Sequence, residues 1–115
     1  MQLSGYIEKR IGGKVRAFKF GIGTFMRLSK GESVELDKID EYINGLNDYE
    51  RLAVMLYYAA IFGCQINGWA VDFNKANVES WIDEISDQDL TEICNVIDQG
   101  KIFGHKLEDI KKKMN

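Results

Sequence analysis

A chain of 115 residues, 45% hydrophobic and 29% charged, has the make-up of one ordinary globular domain and leaves no room for a second core. Its formal charge of −3 argues against a dedicated nucleic-acid binder. No apolar run reaches the roughly 20 residues that a membrane span needs. The first ten residues lack the apolar stretch of a secretory signal, so the chain reads as cytoplasmic.

Tyr6–Arg10 and Lys14–Phe20 read as two strands joined by Gly12-Gly13, which supply the positive φ angles of a two-residue hairpin. If Ile11 pairs with Lys14, Ile7 pairs with Phe18. Ile7, Phe18 and Phe20 then share one face near the open end, and Lys9, Lys14 and Arg16 crowd the same face toward the turn. The expectation is an apolar base and a charged tip, with outer edges open to strand addition. Gly21-Ile22-Gly23-Thr24 breaks the strand. A short helix is expected over Thr24–Ser29, ended by Gly31, and a second over 34–44 capped by Ser33.

Leu52–Cys64, LAVMLYYAAIFGC, passes thirteen residues without a charge, an amide or a proline. Asn47 and Glu50 before it form a capping-box pair, and Gly63 and Gly68 bracket its far end. A helix apolar on every face is surrounded by other elements, so 47–66 reads as a buried central helix. After a turn at Asn67-Gly68, Trp69, Val71 and Phe73 alternate. Asn74 caps a helix over 75–85 with Val78, Trp81, Ile82 and Ile85 inward. Ser86 and Asp89 open another over 87–99, striped by Leu90, Ile93, Cys94 and Ile97. Leu107, Ile110 and Met114 give the last segment a narrow apolar face. The fold class is therefore mainly α (α+β). One domain over 1–115 carries a hairpin at 5–20, a helical body of about five short helices at 22–99, and a C-terminal helix or tail at 100–115.

The charge is polarised. Residues 1–31 hold seven cations against Glu8 alone, and residues 32–98 hold fifteen acids against Lys38, Arg51 and Lys75. Either the ends fold back on an acidic middle or neighbouring molecules meet in that way. Lys9, Arg10, Lys14 and Arg16 are the candidate basic patch for self-association into a homo-oligomer.

Chemistry is hard to find. The single histidine, His105, has no nucleophile motif or ligand spacing beside it. Cys64 and Cys94, thirty positions apart in apolar helical stretches, read as buried free thiols. No calcium loop, phosphate loop or dinucleotide fingerprint is present. The chain is expected to be no enzyme and to use no metal or cofactor. Trp69 and Phe73 are the candidate partner contacts, although aromatics flanking a buried helix more often belong to the core. The hairpin's interleaved aromatics and cations admit a nucleic-acid-binding or regulatory adaptor as the alternative.

The order of features is familiar. Ile11-Gly12-Gly13-Lys14 leads to Phe18-Lys19-Phe20-Gly21-Ile22-Gly23-Thr24. A central helix ends in Tyr57-Tyr58-Ala59-Ala60, and Val71-Asp72-Phe73 precedes Val78-Glu79-Ser80-Trp81-Ile82-Asp83. Over about residues 5–98 this resembles the phage tail assembly chaperones of long-tailed bacteriophages and prophages. The resemblance implies a small, mostly helical protein that coats the tape-measure protein, helps recruit tail-tube subunits and is absent from the finished virion. It also implies a family in which longer frameshifted forms are common. A tail component retained in the particle is the remaining alternative. The resemblance carries no motif of binding residues.

Overall fold

The computed structural model describes residues 5–100. The fold is α+β, a two-stranded antiparallel hairpin followed by five α-helices among those residues. β1 (Tyr6–Ile11) and β2 (Lys14–Lys19) pair in the expected register, with Ile11 opposite Lys14 and Ile7 opposite Phe18. Gly12 and Gly13 take φ values of 62° and 87°, which side chains resist, so this turn needs its glycines. A bond from the Phe20 N–H to the Gly5 carbonyl, 2.8 Å, extends the ladder past the open end.

The helices follow as α1 (Ile22–Glu32), α2 (Ile39–Asn44), α3 (Asp48–Asn67), α4 (Lys75–Glu84) and α5 (Asp87–Gly100). α3 packs on β2, α1 and α4, so it is the central element. Met55, Leu56, Tyr58, Ala59, Ala60, Gly63 and Cys64 are its buried residues. The core around them gathers Phe18 and Phe20 from the hairpin, Phe25 and Leu28 from α1, Ile39 and Ile43 from α2, Val78 from α4 and Ile93 from α5. The N-terminus of α3 is closed as its sequence implies. Asn47 Oδ1 accepts from the Glu50 N–H at 2.8 Å and Glu50 Oε1 accepts from the Asn47 N–H at 3.0 Å. Asn74 and Asn77 form the same reciprocal pair at α4, and Ser86 Oγ accepts from the Asp89 N–H at α5.

Four expectations need correction. α1 runs through Gly31 to Glu32, and Ser33 takes the left-handed residue that ends it, at φ 57°. Gly31 is a clearance, since a Cβ there would lie 2.1 Å from the Tyr58 hydroxyl. With Ser33 engaged in that cap, the helix expected over 34–44 begins later, as a 3-10 turn at Leu36–Lys38 followed by α2. The hairpin tip is also not a uniformly charged surface, because Arg16 is buried and only 8% exposed. Ala17 and Phe18 on opposite faces of β2 are both buried: Ala17 meets α3 at Gly63, and Phe18 meets Trp81 of α4. The middle of the strand is therefore covered on both faces, and Arg16 is covered with it. Finally, Cys64 is buried as expected but Cys94 is exposed, because its side of α5 is not covered by α3. His105 and the apolar face of Leu107, Ile110 and Met114 lie outside the described residues. No helix among the described residues is long and apolar enough to cross a membrane.

Candidate partner-binding surface

The segment from Trp69 to Asn74 joins α3 to α4 without helix or strand. With no ladder to impose a period of two, its alternating residues part company. Phe73 turns inward, its ring 5.1 Å from that of Trp81 and 6.1 Å from that of Tyr57. Trp69 and Val71 stay outside at 43% and 46% exposure. Val15 of β2 borders the same shallow depression as Trp69 and Ala70, and Ile66 on the last turn of α3 is likewise exposed. Of the two candidate contact residues, Trp69 is thus available to a partner while Phe73 packs against the core.

Arg16 holds the loop in place. Its guanidinium lies 4.6 Å from the Trp81 ring centre and 5.6 Å from that of Phe73. Its Nε donates to the Ile11 carbonyl at 3.3 Å, and its Nη1 forms an ion pair with Asp72. Lys14 Nζ reaches the other Asp72 oxygen at 2.7 Å. A charge mostly removed from water needs such a partner, and a seat over aromatic rings suits a planar cation. Hydrogen bonds from Lys14 and then Arg16 hold the Asp72 carboxyl below the usual carboxylate range.

The four basic candidates therefore have different fates. Lys9 is paired with Asp89 at 3.2 Å and with Glu92, both on α5. Lys14 and Arg16 share Asp72. Arg10 is exposed and makes no ion pair among the described residues. Much of the hairpin's share of the polarity thus resolves within the molecule: Lys9, Lys14 and Arg16 fold onto acids of the middle region. The Gly12 N–H adds a bond to Glu84 of α4 at 3.3 Å.

A second cluster had no sequence signal beyond a helix-end carboxylate. Glu32 accepts hydrogen bonds from Tyr42 at 2.9 Å and Tyr58 at 2.5 Å, and it pairs with Lys75. It lines a cleft of about 170 Å³ with Leu46, Glu50, Val54 and Glu79. Burial raises the Glu32 pKa, but the bonds from Lys75, Tyr58 and Tyr42 outweigh it and the net shift is downward. Burial, and then the bond to Glu32, push the Tyr58 hydroxyl far above its ordinary value. The arrangement ties α1, α2, α3 and α4 together. Three donors already hold the carboxylate, which leaves it poorly placed as a general base. Among the described residues no group of three or more His, Cys, Asp or Glu side chains could hold a metal ion.

Both carboxylates sit lower in the fold than in the unfolded chain. Their contribution to stability is complete above about pH 5 and is lost as pH falls through about 4 and below. Thermal melts from pH 3 to 7 should show a steeper acid loss for the parent than for Asp72→Asn or Glu32→Gln. Parallel profiles for all three would show that neither pair is coupled to folding.

Comparison with known proteins returns no matching family model, no matching curated protein and no matching solved structure.

Proposed function

We propose that this chain is a non-enzymatic assembly chaperone of the phage-tail kind that its sequence resembles. In this reading it acts in the cytoplasm of the bacterial host, binds the tape-measure protein, assists the recruitment of tail-tube subunits and leaves before the virion is complete. The observation that supports it best is the exposed pair Trp69 and Val71, carried on a loop that Phe73 anchors against Trp81 and that Asp72 ties to Arg16. Apolar side chains held out on an anchored loop lose little entropy on docking, and aromatic anchors of this kind dominate interface energies. Many weak copies of one such contact along a long partner would hold by avidity and still yield to arriving subunits.

Co-expression with a tape-measure protein, scored by that protein's solubility, tests the reading. Trp69→Ala combined with Val71→Ser should abolish the rescue while changing the chain's own stability by less than about 0.5 kcal/mol, as exposed positions do. Undiminished rescue by the double variant would remove this surface from the proposal. Phe73→Ala is the poorer probe, since it also opens the core. The ion pairs of Lys9, Lys14 and Arg16 weigh against the nucleic-acid-binding alternative and against head-to-tail association through the hairpin tip, since either contact must compete with Asp72, Asp89 and Glu92. Mass spectrometry of purified virions separates a departing chaperone from a retained tail component.

A further inference from the structure

Each strand of the hairpin is paired on one side only. The Trp69–Asn74 loop borders β2, which leaves β1 as the open side of the sheet. The bond from the Phe20 N–H to the Gly5 carbonyl fixes which residues exchange hydrogen bonds across the ladder. They are Gly5 with Phe20 and, by alternation, Ile7 with Phe18, Lys9 with Arg16 and Ile11 with Lys14. The backbone N–H and C=O groups of Tyr6, Glu8 and Arg10 therefore point away from β2. Among the described residues no hydrogen bond reaches any of those groups. Neither a proline nor a bulge interrupts β1, and these are two of the devices that normally close a strand edge.

The charges on this edge select its occupant. Glu8 and Arg10 stand two positions apart on one face of the sheet, and both are exposed. Arg10 has no ion pair among the described residues, and Glu8 accepts only from the Tyr6 hydroxyl, at 2.6 Å. A second β1 laid antiparallel against the first can be centred on any residue of the strand. Centring on Glu8 or on Arg10 sets like charges opposite each other, which is unfavourable. Centring on Ile7 engages Tyr6 and Glu8 and leaves Arg10 unanswered. Centring on Lys9 sets Glu8 of each copy opposite Arg10 of the other, and the two backbones exchange both hydrogen bonds in each pair. Lys9 then meets its own copy, but its side chain lies on the other face, where Asp89 and Glu92 already hold it. A strand that answers its own charge pattern when reversed is complementary to itself, the condition for a two-fold contact.

We propose that two copies of this chain associate through the outer edges of their β1 strands, joining the two hairpins into one continuous antiparallel sheet with its two-fold axis at Lys9 and with Glu8 of each copy paired to Arg10 of the other. The contact is small, so the association is weak and depends on concentration. It differs from a head-to-tail contact through the hairpin tip, because the ion pairs of Lys9, Lys14 and Arg16 stay as they are. Trp69 and Val71 of both copies remain on the outer flanks, beyond β2. The association does not rest on the chaperone reading, although a pair of such surfaces holds a long partner better than one.

Sedimentation equilibrium of the full chain, from about 10 µM to about 1 mM as suits a weak contact, reads the association directly. The mean mass should climb toward twice that of one chain. Glu8→Arg alone and Arg10→Glu alone each set like charges opposite one another in both pairs, and each should weaken the dimer about tenfold. Mixing those two single variants makes every cross-strand pair opposite in sign again, so the mixture should dimerise where neither variant does so by itself. Both positions are exposed, and circular dichroism should show both variants folded. In the parent, amide hydrogen exchange at Glu8 and Arg10 should slow as concentration rises, while exchange at Val15, on the outer edge of β2, should not. A strict monomer at every concentration would overturn the proposal. So would a dimer that the single reversals leave intact, a mixture that fails to recover, or protection gained at Val15 instead of at Glu8 and Arg10.

Discussion

Replacing Gly63 by alanine is expected to destabilise this protein by about 2–3 kcal/mol, although alanine is the better helix former by about 1 kcal/mol. Gly63 lies inside α3, where propensity alone predicts a gain. But a Cβ at this position would stand 2.1 Å from the Ala17 carbonyl oxygen and 2.5 Å from its carbon. Both atoms belong to the backbone of the paired strand β2, so neither yields by a rotamer change. The clash forces α3 away from β2, the contact that joins the hairpin to the body. The midpoint of thermal unfolding should fall by roughly 10 °C. Gly45→Ala is the matched control. Its nearest neighbours are 3.5 Å away, in ordinary contact, and its φ of −78° suits any residue. That variant should be neutral or slightly stabilising through its unfolded state. Equal melting of the Gly63 variant and the parent would mean that the helix and strand are not in this close contact.

The second large effect concerns Trp81. Truncation to alanine should cost about 3–5 kcal/mol, out of a total stability of about 5–15 kcal/mol for a domain of this size. Trp81 is 4% exposed, meets Phe18 edge-on at 6.3 Å, lies 5.1 Å from Phe73 and carries Arg16 above its ring. Its loss opens a cavity beside a buried cation and releases the inner side of the Trp69–Asn74 loop. The variant should therefore lose tape-measure rescue as well as stability, although Trp81 faces inward. Trp81→Phe should recover more than half of the stability by keeping a ring under Arg16. Urea unfolding measures the cost. Fluorescence reads the site directly, because Trp81→Ala leaves exposed Trp69 as the remaining tryptophan and the emission should shift to the red. A loss below about 1 kcal/mol would show that the ring is not a centre of the core.

These two positions show where sequence reasoning stops. Gly63 was legible only as a residue near a helix end, since the reason for it lies in β2. Trp81 was legible as the inward residue of an amphipathic helix, and it is inward, but its role as the floor under Arg16 was not. Arg16 read as part of a charged tip because an alternating strand places it beside Lys9 and Lys14. Nothing local announces that helices will close over both faces of β2. Cys94 read as buried because it belongs to an apolar stripe, yet a stripe says only which side of a helix is apolar and not how much of that side a neighbour covers. Trp69 and Phe73 have the same parity and comparable apolar character, and only Phe73 reaches the core.

By itself the sequence determined the elements whose causes are local. The Gly12-Gly13 turn and its register, the caps at Asn47, Asn74 and Ser86, and the central place of α3 all depend on residues within a few positions of one another or on one unbroken apolar run. Burial and charge pairing were settled by the tertiary fold. Arg16 finds Asp72 across 56 positions, Lys9 finds Glu92 across 83, and Glu32 is held from 10, 26 and 43 positions away. A buried or half-buried charge takes whichever opposite charge and donors the packed helices bring to it, and that geometry exists only once the chain has closed on itself.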